Sequence, residues 1–381
     1  MPKATLLRIS DGVDVAGKYV LLRASLNVPV VDGCVSNQFR IVRAMPTINH
    51  LTQAGARVII VAHIGREPSE TLAPVAEAMQ SFVPLTFVPA VTGEAVRAAR
   101  NEMQNGEVIM LENVRQHPKE KDDDGSFAAE LASIADIYVN DAFAASHRAH
   151  ASLAGVPRHL PSYFGLNFMH EYDELLKAAA PHAPSLFILG GAKFDTKMPL
   201  VEKYLDTYSN IFIGGALAND IFKARGLEVG NSLVSEIDLS GSPIINHEQI
   251  MTPIDVVVDG PQGRRTCAPD AVSPDERILD AGPETIALLS PLVGAAKTIL
   301  WNGPLGNYEA GYGEQTEALA HLVAQSEGYA VIGGGDTIAA VENLRVQESI
   351  GFMSTAGGAM LTFLEAGTLP AIDAVQNQLQ P

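Results

Sequence analysis

Every apolar run in this chain that is typical of a buried strand stops abruptly, and the two halves stop their runs differently. In the first half the runs end in Arg, Asn, Asp and His, as in YVLLRASLN, RVIIVAHIGR, EVIMLENVR and DIYVNDAFAASHRAH. In the second half they end in glycine, as in LFILGGAKFDTK, IFIGGALAND, TILWNGPLG, YAVIGGGDT and IGFMSTAGGAM. Ligands of open parallel sheets bind at the carboxyl ends of the strands. The pattern therefore predicts an anion site in one half and a backbone that approaches a phosphate chain in the other.

The spacing of these runs predicts an α/β fold with parallel sheets. Segments with helical spacing separate them, such as residues 39–55, 71–83 and 127–135. Such alternation is typical of βαβ units, and near-continuous Val, Ile and Leu strands fit sheets that are covered on both faces. The acidic residues before position 127 are expected to cap that helix. The rest of this charged run, KEKDDDG, is expected to be a solvated loop.

A length of 381 residues favours two domains. A segment containing Pro and Gly, residues 159–167, breaks the pattern, and a helix-like segment stopped by prolines follows it. We predict an N-terminal domain over residues 1–166, a connecting helix over 167–182 and a C-terminal domain over 183–367.

Composition narrows the classes of function. The net charge is −18, divided as −2 over residues 1–166 and −16 over residues 167–381, so nucleic-acid binding is not expected. No apolar stretch approaches the roughly 20 residues that span a bilayer, so no membrane association is expected either. Cys34 and Cys267 lack the spacing of a zinc site or a disulfide framework. A reducing, cytoplasmic location fits this cysteine usage.

The phosphate-binding signals are glycine turns, since neither a Walker motif nor GxGxxG after a strand is present. GGAKFDTK places Lys193 and Lys197 four residues apart, on one face of a helix if a helix starts there. A tight turn with two solvated lysines is the alternative, and it stays open for this motif alone. In VIGGGDT, Asp336 could hold Mg²⁺, which prefers oxygen ligands and substrate phosphates. STAGGAM is a third turn of small residues.

Taken together, these strings resemble the phosphoglycerate kinase family over essentially the whole chain. The matches are LNVP, FRI, HIGR, LENVR, YVNDAF, HRAH, LGGAK, WNGPLG, IGGGDT and the GGA of residues 357–359. The resemblance implies two Rossmann-like domains around a hinged cleft, with the tail 368–381 returning to the first domain. It implies reversible phosphoryl transfer between 1,3-bisphosphoglycerate and MgADP, giving 3-phosphoglycerate and MgATP. A monomer is expected.

The resemblance also implies roles for individual residues on each side of the reaction. Arg40 would reach the transferring phosphoryl group, and Lys193 and Gly358 would complete the catalytic set. The acid substrate would be bound by Ser25, Asn27, Arg40, His63, Arg66, Arg115, His147 and Arg148. The nucleotide would be bound by Gly190, Lys193, Lys197, Gly214, Glu309, Gly335, Asp336 and Thr337, with Asp336 as the ligand of Mg²⁺. His150 is left out of this set, and Trp301 is expected to pack.

Departures from the family pattern bear on activity. Ser25 stands where the family has an aspartate for the substrate hydroxyl, so weaker glycerate binding is expected. Ala144, Ala145 and Ala356 replace Gly, Thr and Gly, and Asp195–Thr196 replaces the usual Ser–Asp order. The retained charged residues favour an active enzyme. A nucleotide-binding paralogue with weakened catalysis is the alternative, and an enzyme acting on another acyl phosphate is a third hypothesis.

Overall fold

The computed structural model describes residues 6–192, 194–237, 239, 241–242 and 244–378. The chain divides into two compact units. One holds the described residues up to Asp173 and those from Ala366 onward, and the other runs from Glu174 to Glu365. Both are α/β units built on a parallel sheet, so the predicted fold class is confirmed.

The first unit consists of a parallel sheet with helices on both faces. Its strands are β1 (Tyr19–Ala24), β2 (Val30–Val31), β3 (Cys34–Val35), β4 (Arg57–Val61), β5 (Thr86–Val88), β6 (Val108–Leu111), β7 (Ile137–Asp141) and β8 (Ser162–Phe164). Its helices are α1 (Phe39–Gln53), α2 (Ala73–Met79), α3 (Glu94–Glu102), α4 (Gly125–Ala132) and α5 (Leu166–Ala179), whose last six residues belong to the second unit. The sheet order is β5-β6-β4-β1-β7-β8, and β2 pairs with β3 separately.

Alternation along the central strands explains the two layers of helices. Val20 and Leu22 of β1 belong to one buried cluster, whereas Leu21 belongs to another. Ile60 and Ile59 of β4 divide in the same way. Successive side chains of a strand point to opposite faces, so a strand that is apolar throughout must be covered on both sides.

The second unit repeats this plan and adds a small antiparallel sheet. Its strands are β9 (Ser185–Leu189), β10 (Asn210–Ile213), β11 (Ile250–Met251), β12 (Val256–Asp259), β13 (Arg265–Cys267), β14 (Arg277–Ala281), β15 (Thr298–Asn302), β16 (Tyr329–Gly333) and β17 (Phe352–Ser354). Its helices are α6 (Phe194–Tyr204), α7 (Ala216–Ala224), α8 (Pro283–Ala295), α9 (Glu314–Gln325), α10 (Gly335–Asn343) and α11 (Gly358–Ala366). The parallel sheet has the order β11-β10-β9-β15-β16-β17, and β12 pairs between β13 and β14.

The last helix, α12 (Pro370–Asn377), packs within the first unit. Ile372 and Val375 are buried there. The Gln378 side chain accepts a hydrogen bond from the Ser162 N–H (2.8 Å) and donates one to the Ser162 carbonyl (2.7 Å). These contacts join the end of the described chain to β8, far away in the sequence.

The charged run before α4 is partly buried, which corrects the expectation of a solvated loop. Asp124 caps α4 as predicted, since its side chain accepts hydrogen bonds from the N–H groups of Ser126 and Phe127. Glu120, however, is fully buried. Its carboxylate accepts hydrogen bonds from Ser152, which lies 32 residues later in the chain.

Asp141 ends β7 and holds the beginning of α5. Its side chain is fully buried, and Oδ1 accepts a hydrogen bond from the Phe168 N–H at 3.0 Å. Among the described residues Oδ2 has no hydrogen-bond partner. Burial raises the pKa of Asp141 to about 7, because the charged form loses its hydration.

We therefore expect Asp141 to lower the free energy of unfolding progressively as pH rises from 4 to 7. In this interval the folded protein keeps the Asp141 proton, whereas the unfolded chain has released it near the ordinary pKa of 3.8. Asp141→Asn imitates the neutral acid and should remove up to about 4 kcal/mol of this pH dependence. Urea unfolding followed by circular dichroism from pH 4.5 to 7.5 measures it. Identical pH slopes for the two proteins would contradict the prediction.

Candidate active site

The predicted acid-binding residues lie at one edge of the first sheet. The central order of strands is β6-β4-β1-β7, and all four are parallel. Their carboxyl ends therefore lie side by side. Asn27 follows β1, His63 follows β4, Arg115 follows β6, and Arg148 follows β7.

Arg40 and Asn27 are joined by a hydrogen bond. Arg40 lies in the first turn of α1, and its Nη1 donates to the Asn27 carbonyl at 2.8 Å. The Asn27 Oδ1 accepts a hydrogen bond from the Gly65 N–H at 2.9 Å. Burial lowers the pKa of Arg40, and the negative charge of Glu171 opposes this effect. The guanidinium is thus held at the strand ends in a partly desolvated environment.

The other cations of this edge affect one another through space. Nη1 of Arg115 donates a hydrogen bond to the Gly65 carbonyl. Burial lowers the pKa of Arg115, and the positive charge of Arg148 lowers it further. Burial likewise lowers the pKa of His63, with added contributions from Arg23, Arg115, Arg148 and Arg40. The concentration of positive charge makes this edge suitable for a multiply charged anion.

The remaining predicted acid-binding residues are Ser25, Arg66 and His147. Ser25 is half-buried, directly after β1. Arg66 is exposed; its N–H donates a hydrogen bond to Glu70, and its carbonyl accepts one from Lys121. His147 is half-buried, and its Nδ1 has no hydrogen-bond partner in the described part of the chain. Burial lowers the pKa of His147.

In the second unit the glycine turns surround a cavity of about 680 Å³. Its wall includes residues that follow β9, β10, β15 and β16: Gly191, Ala192, Gly215, Ala216, Pro304, Leu305, Gly306 and Asp336. Glu309, in a short 3₁₀ turn after β15, also lines it. A cavity at the carboxyl ends of parallel strands is the usual position of a ligand in such sheets. Of the predicted nucleotide residues, Glu309 and Asp336 are in the described wall.

Two turns pack against each other with no room for side chains. The Gly191 N–H donates to the Pro304 carbonyl at 3.0 Å. A Cβ on Gly190 would lie 2.1 Å from that carbonyl oxygen. A Cβ on Gly303, whose φ is +99°, would lie 2.3 Å from the Gly190 oxygen. These glycines are required by the close approach of backbone to backbone.

The other predicted nucleotide residues support the turns or lie outside the described wall. Lys197 is buried on α6, and its Nζ donates to the Gly190 carbonyl. Thr337 is buried, and its Oγ1 accepts a hydrogen bond from the Gly303 N–H at 3.0 Å. A Cβ on Gly214, next to the wall residue Gly215, would lie 2.9 Å from the Leu305 Cδ2, whereas Gly335 and Gly358 are exposed starts of α10 and α11. Lys193 lies outside the described residues.

Among the described residues, no group of three or more His, Cys, Asp or Glu side chains is arranged to hold a metal ion. Asp336 is an exposed carboxylate in the first turn of α10, at the cavity wall. Mg²⁺ commonly takes one or two protein carboxylates together with substrate phosphates. The residues present therefore fit a metal that is carried by the nucleotide.

The family model for phosphoglycerate kinase matches residues 10–367. The chain belongs to the phosphoglycerate kinase family. The phosphoglycerate kinase of Maricaulis maris (strain MCS10) is 39% identical to it over 392 residues, covering 97% of both chains. That of Pelotomaculum thermopropionicum is 40% identical over 382 residues, covering 95% of this chain and 97% of the relative.

The chain is also similar to solved structures of phosphoglycerate kinases. The enzyme from Coxiella burnetii superposes with a TM-score of 0.86 at 35% identity, covering 99% of this chain and 100% of its own. The enzyme from Pyrococcus horikoshii OT3 gives 0.84 at 28% identity, covering 98% and 99%. None of the described helices is long and apolar enough to cross a membrane.

The alanines that depart from the phosphoglycerate kinase pattern are tolerated by the backbone. The described non-glycine residues with positive φ are Asp32, Asp123 and Arg345. Ala144, Ala145 and Ala356 are therefore not in the left-handed region, where a methyl group would be strained. The side chains of Asp195 and Thr196 lie outside the described part of the structure.

Sequence reasoning missed two kinds of residue. Arg23 is buried beside His63, and Glu120 is buried beyond Arg23, to which Ser152 links it, although Arg23 looks like a strand residue and Glu120 belongs to an acidic run. Asp280 and Asn219 line the cavity, and burial raises the pKa of Asp280 to about 7. Asp280, two residues before Gly282–Pro283, lies at the end of a strand, as the predicted site residues do. This position was the one sequence signal that could have identified it.

Proposed function

We propose that the chain catalyses reversible phosphoryl transfer between 1,3-bisphosphoglycerate and ADP, giving 3-phosphoglycerate and ATP, in glycolysis and gluconeogenesis. Membership of the phosphoglycerate kinase family over residues 10–367, with charged groups retained at the strand ends, carries this proposal. In solution it acts as a monomer. We also propose that the two domains span residues 1–166 and 183–367 and are joined by a connecting helix over residues 167–182.

The acid would bind at the strand-end edge of the first sheet. Arg115 and Arg148, with His63, would hold its phosphate and carboxylate, since guanidinium forks match these anions. Asn27, Arg66 and His147 would complete this side. Arg40 would stabilise the charge on the migrating phosphoryl group.

The nucleotide would occupy the cavity of the second unit. Glu309 would bind the ribose and Thr337 would lie beside the phosphates, with Gly190, Gly214, Gly335 and Gly358 in the turns that line them. Lys193 and Lys197 would neutralise phosphate charge. Asp336 would hold the Mg²⁺ carried by the nucleotide phosphates, and the ion would neutralise part of the phosphate charge. Closure of a hinge would exclude water, which would hydrolyse the acyl phosphate.

Formation of ATP from 1,3-bisphosphoglycerate and MgADP, followed in a coupled assay with the purified protein, tests the proposal. We expect saturation by both substrates. Tight binding of ADP without turnover would instead identify a nucleotide-binding paralogue. Turnover only with other acyl phosphates would identify a different substrate. Either result would refute the proposed function.

Ser25→Asp should lower the KM for 3-phosphoglycerate about tenfold with little change in kcat. The longer, charged side chain can accept a hydrogen bond from the substrate hydroxyl, and such bonds are worth about 1.5 kcal/mol or more. Ser25→Asn, which lacks the charge but has the length, is the matched control and should have a smaller effect. Initial rates in the ATP-consuming direction measure both. An unchanged KM for Ser25→Asp would mean that Ser25 does not limit binding.

A further inference from the structure

Arg23 is a buried cation at the centre of the first unit, with a partner for each nitrogen. It lies in β1 and is 1% exposed. Nε donates to the Ser152 Oγ at 2.9 Å, and Nη1 donates to the Ala24 carbonyl at 2.8 Å. Nη2 lies 2.9 Å from the His63 Nδ1.

The chemistry of these groups fixes the proton on His63. A guanidinium has only N–H donors and stays protonated in proteins, so the His63 Nδ1 must be the acceptor. A histidine whose Nδ1 accepts a hydrogen bond can carry a proton only on Nε2, and it is then neutral. Among the described residues no hydrogen bond to Nε2 is present. Its N–H is therefore left to a ligand.

A buried carboxylate balances the charge of Arg23. Ser152 links the two, because its Oγ accepts from Arg23 and its hydroxyl donates to the Glu120 Oε1 at 2.6 Å. The Ser152 N–H donates to the Glu120 Oε2 at 2.9 Å. A buried cation without such compensation would be strongly destabilising. The chain of contacts has one consistent direction of donation from Arg23 to Glu120.

We propose that Arg23, held by Ser152 and Glu120, is a positioning residue that keeps His63 as the neutral Nε2–H tautomer, a fixed hydrogen-bond donor to the acid substrate. The identity of that substrate rests on the function proposed above. Other positively charged groups near His63 also favour its neutral form. Burial together with Arg115, Arg148 and Arg40 lowers the pKa of His63, whereas Glu120 lies beyond Arg23.

Nitrogen-15 NMR of the full-length protein, labelled at histidine and without ligand, tests the tautomer directly. His63→Gln identifies the signals of His63. We expect an unprotonated Nδ1 and a protonated Nε2, unchanged from pH 5.5 to 8. A protonated Nδ1, or titration within this range, would overturn the proposal.

Two variants separate a hydrogen bond from packing. Arg23→Met removes every donor, so His63 should exchange between tautomers, and its pKa should rise. Arg23→Gln keeps an N–H donor without the charge, and it should retain the Nε2–H tautomer. If circular dichroism shows that Arg23→Met does not fold, the NMR spectra of the wild type and of Arg23→Gln still test the tautomer. A tautomer unaffected by Arg23→Met in a folded protein would refute the assignment.

Kinetics distinguish this proposal from the proposed function. Arg23→Met should raise the KM for 3-phosphoglycerate about tenfold and make it dependent on pH between 6 and 8, with a smaller change in kcat. An inactive wild-type protein with the expected tautomer would refute the proposed function and leave the role of Arg23 on His63 intact. An active enzyme whose His63 titrates would support the proposed function and refute the role of Arg23 on His63.

Discussion

Replacing Arg40 by alanine should lower kcat about a thousandfold and raise the KM for 3-phosphoglycerate much less. Phosphoryl transfer depends on alignment and on stabilisation of the charge that develops on the migrating group, and an arginine in this role contributes 10³-fold or more. Arg40 has the required rigidity, because it lies in the first turn of α1 and bonds to the Asn27 carbonyl. Initial rates in the ATP-consuming direction, at varied 3-phosphoglycerate and saturating MgATP, measure both constants.

Two control variants make this result specific. Arg97→Ala removes an exposed arginine from α3 of the same unit and should leave kcat unchanged. Arg40→Lys keeps the charge without the planar fork, so an intermediate loss is expected. A kcat for Arg40→Ala within threefold of the wild type would exclude Arg40 from the catalytic step.

Gly303→Ala should destabilise the second unit by about 3 kcal/mol and abolish measurable ADP binding. The position has a φ of +99°, and the added Cβ would lie 2.3 Å from the Gly190 oxygen and 2.5 Å from its carbonyl carbon. Both obstacles are backbone atoms, so the turns after β9 and β15 must move apart. Left-handed strain and overpacking each cost about 1–3 kcal/mol.

Trp301 provides the measurement, since it is the single tryptophan and is fully buried in β15. Its fluorescence during urea unfolding reports on the second unit. Gly294→Ala is the matched control, because it lies in α8 with nothing within 4 Å of the added Cβ and without positive φ. That change should stabilise the unit by up to about 1 kcal/mol. Wild-type stability and ADP affinity in Gly303→Ala would contradict the account of the turns.

The sequence was sufficient for features that depend on local pattern. Strand ends, the cap at Asp124 and the packing of Trp301 were predicted because apolar periodicity, an acidic residue before a helix and a lone tryptophan each act within a few residues. The same reasoning predicted that Asn27, His63, Arg115 and Arg148 lie at one edge of the first sheet, because the carboxyl ends of parallel strands lie side by side.

Features that depend on distant partners could not be predicted. Glu120 is buried because Ser152 bonds to it and links it to Arg23, and nothing near position 120 in the sequence indicates this. Helix α2 is confined to Ala73–Met79, although residues 71–83 have helical spacing. Lys197 has the predicted helical position, but its Nζ turns to the Gly190 carbonyl. Such outcomes are decided by tertiary contacts that local propensity does not contain.

A single-turnover experiment tests the central claim most directly. The protein, in excess, is mixed with MgADP and 1,3-bisphosphoglycerate that carries ³²P in its acyl phosphate, and samples are quenched over time at neutral pH with EDTA and denaturant, because acid would hydrolyse the unreacted acyl phosphate. Direct transfer predicts that the label passes into ATP at the catalytic rate, with none on the protein. Label appearing as inorganic phosphate, or bound to protein before ATP forms, would contradict it.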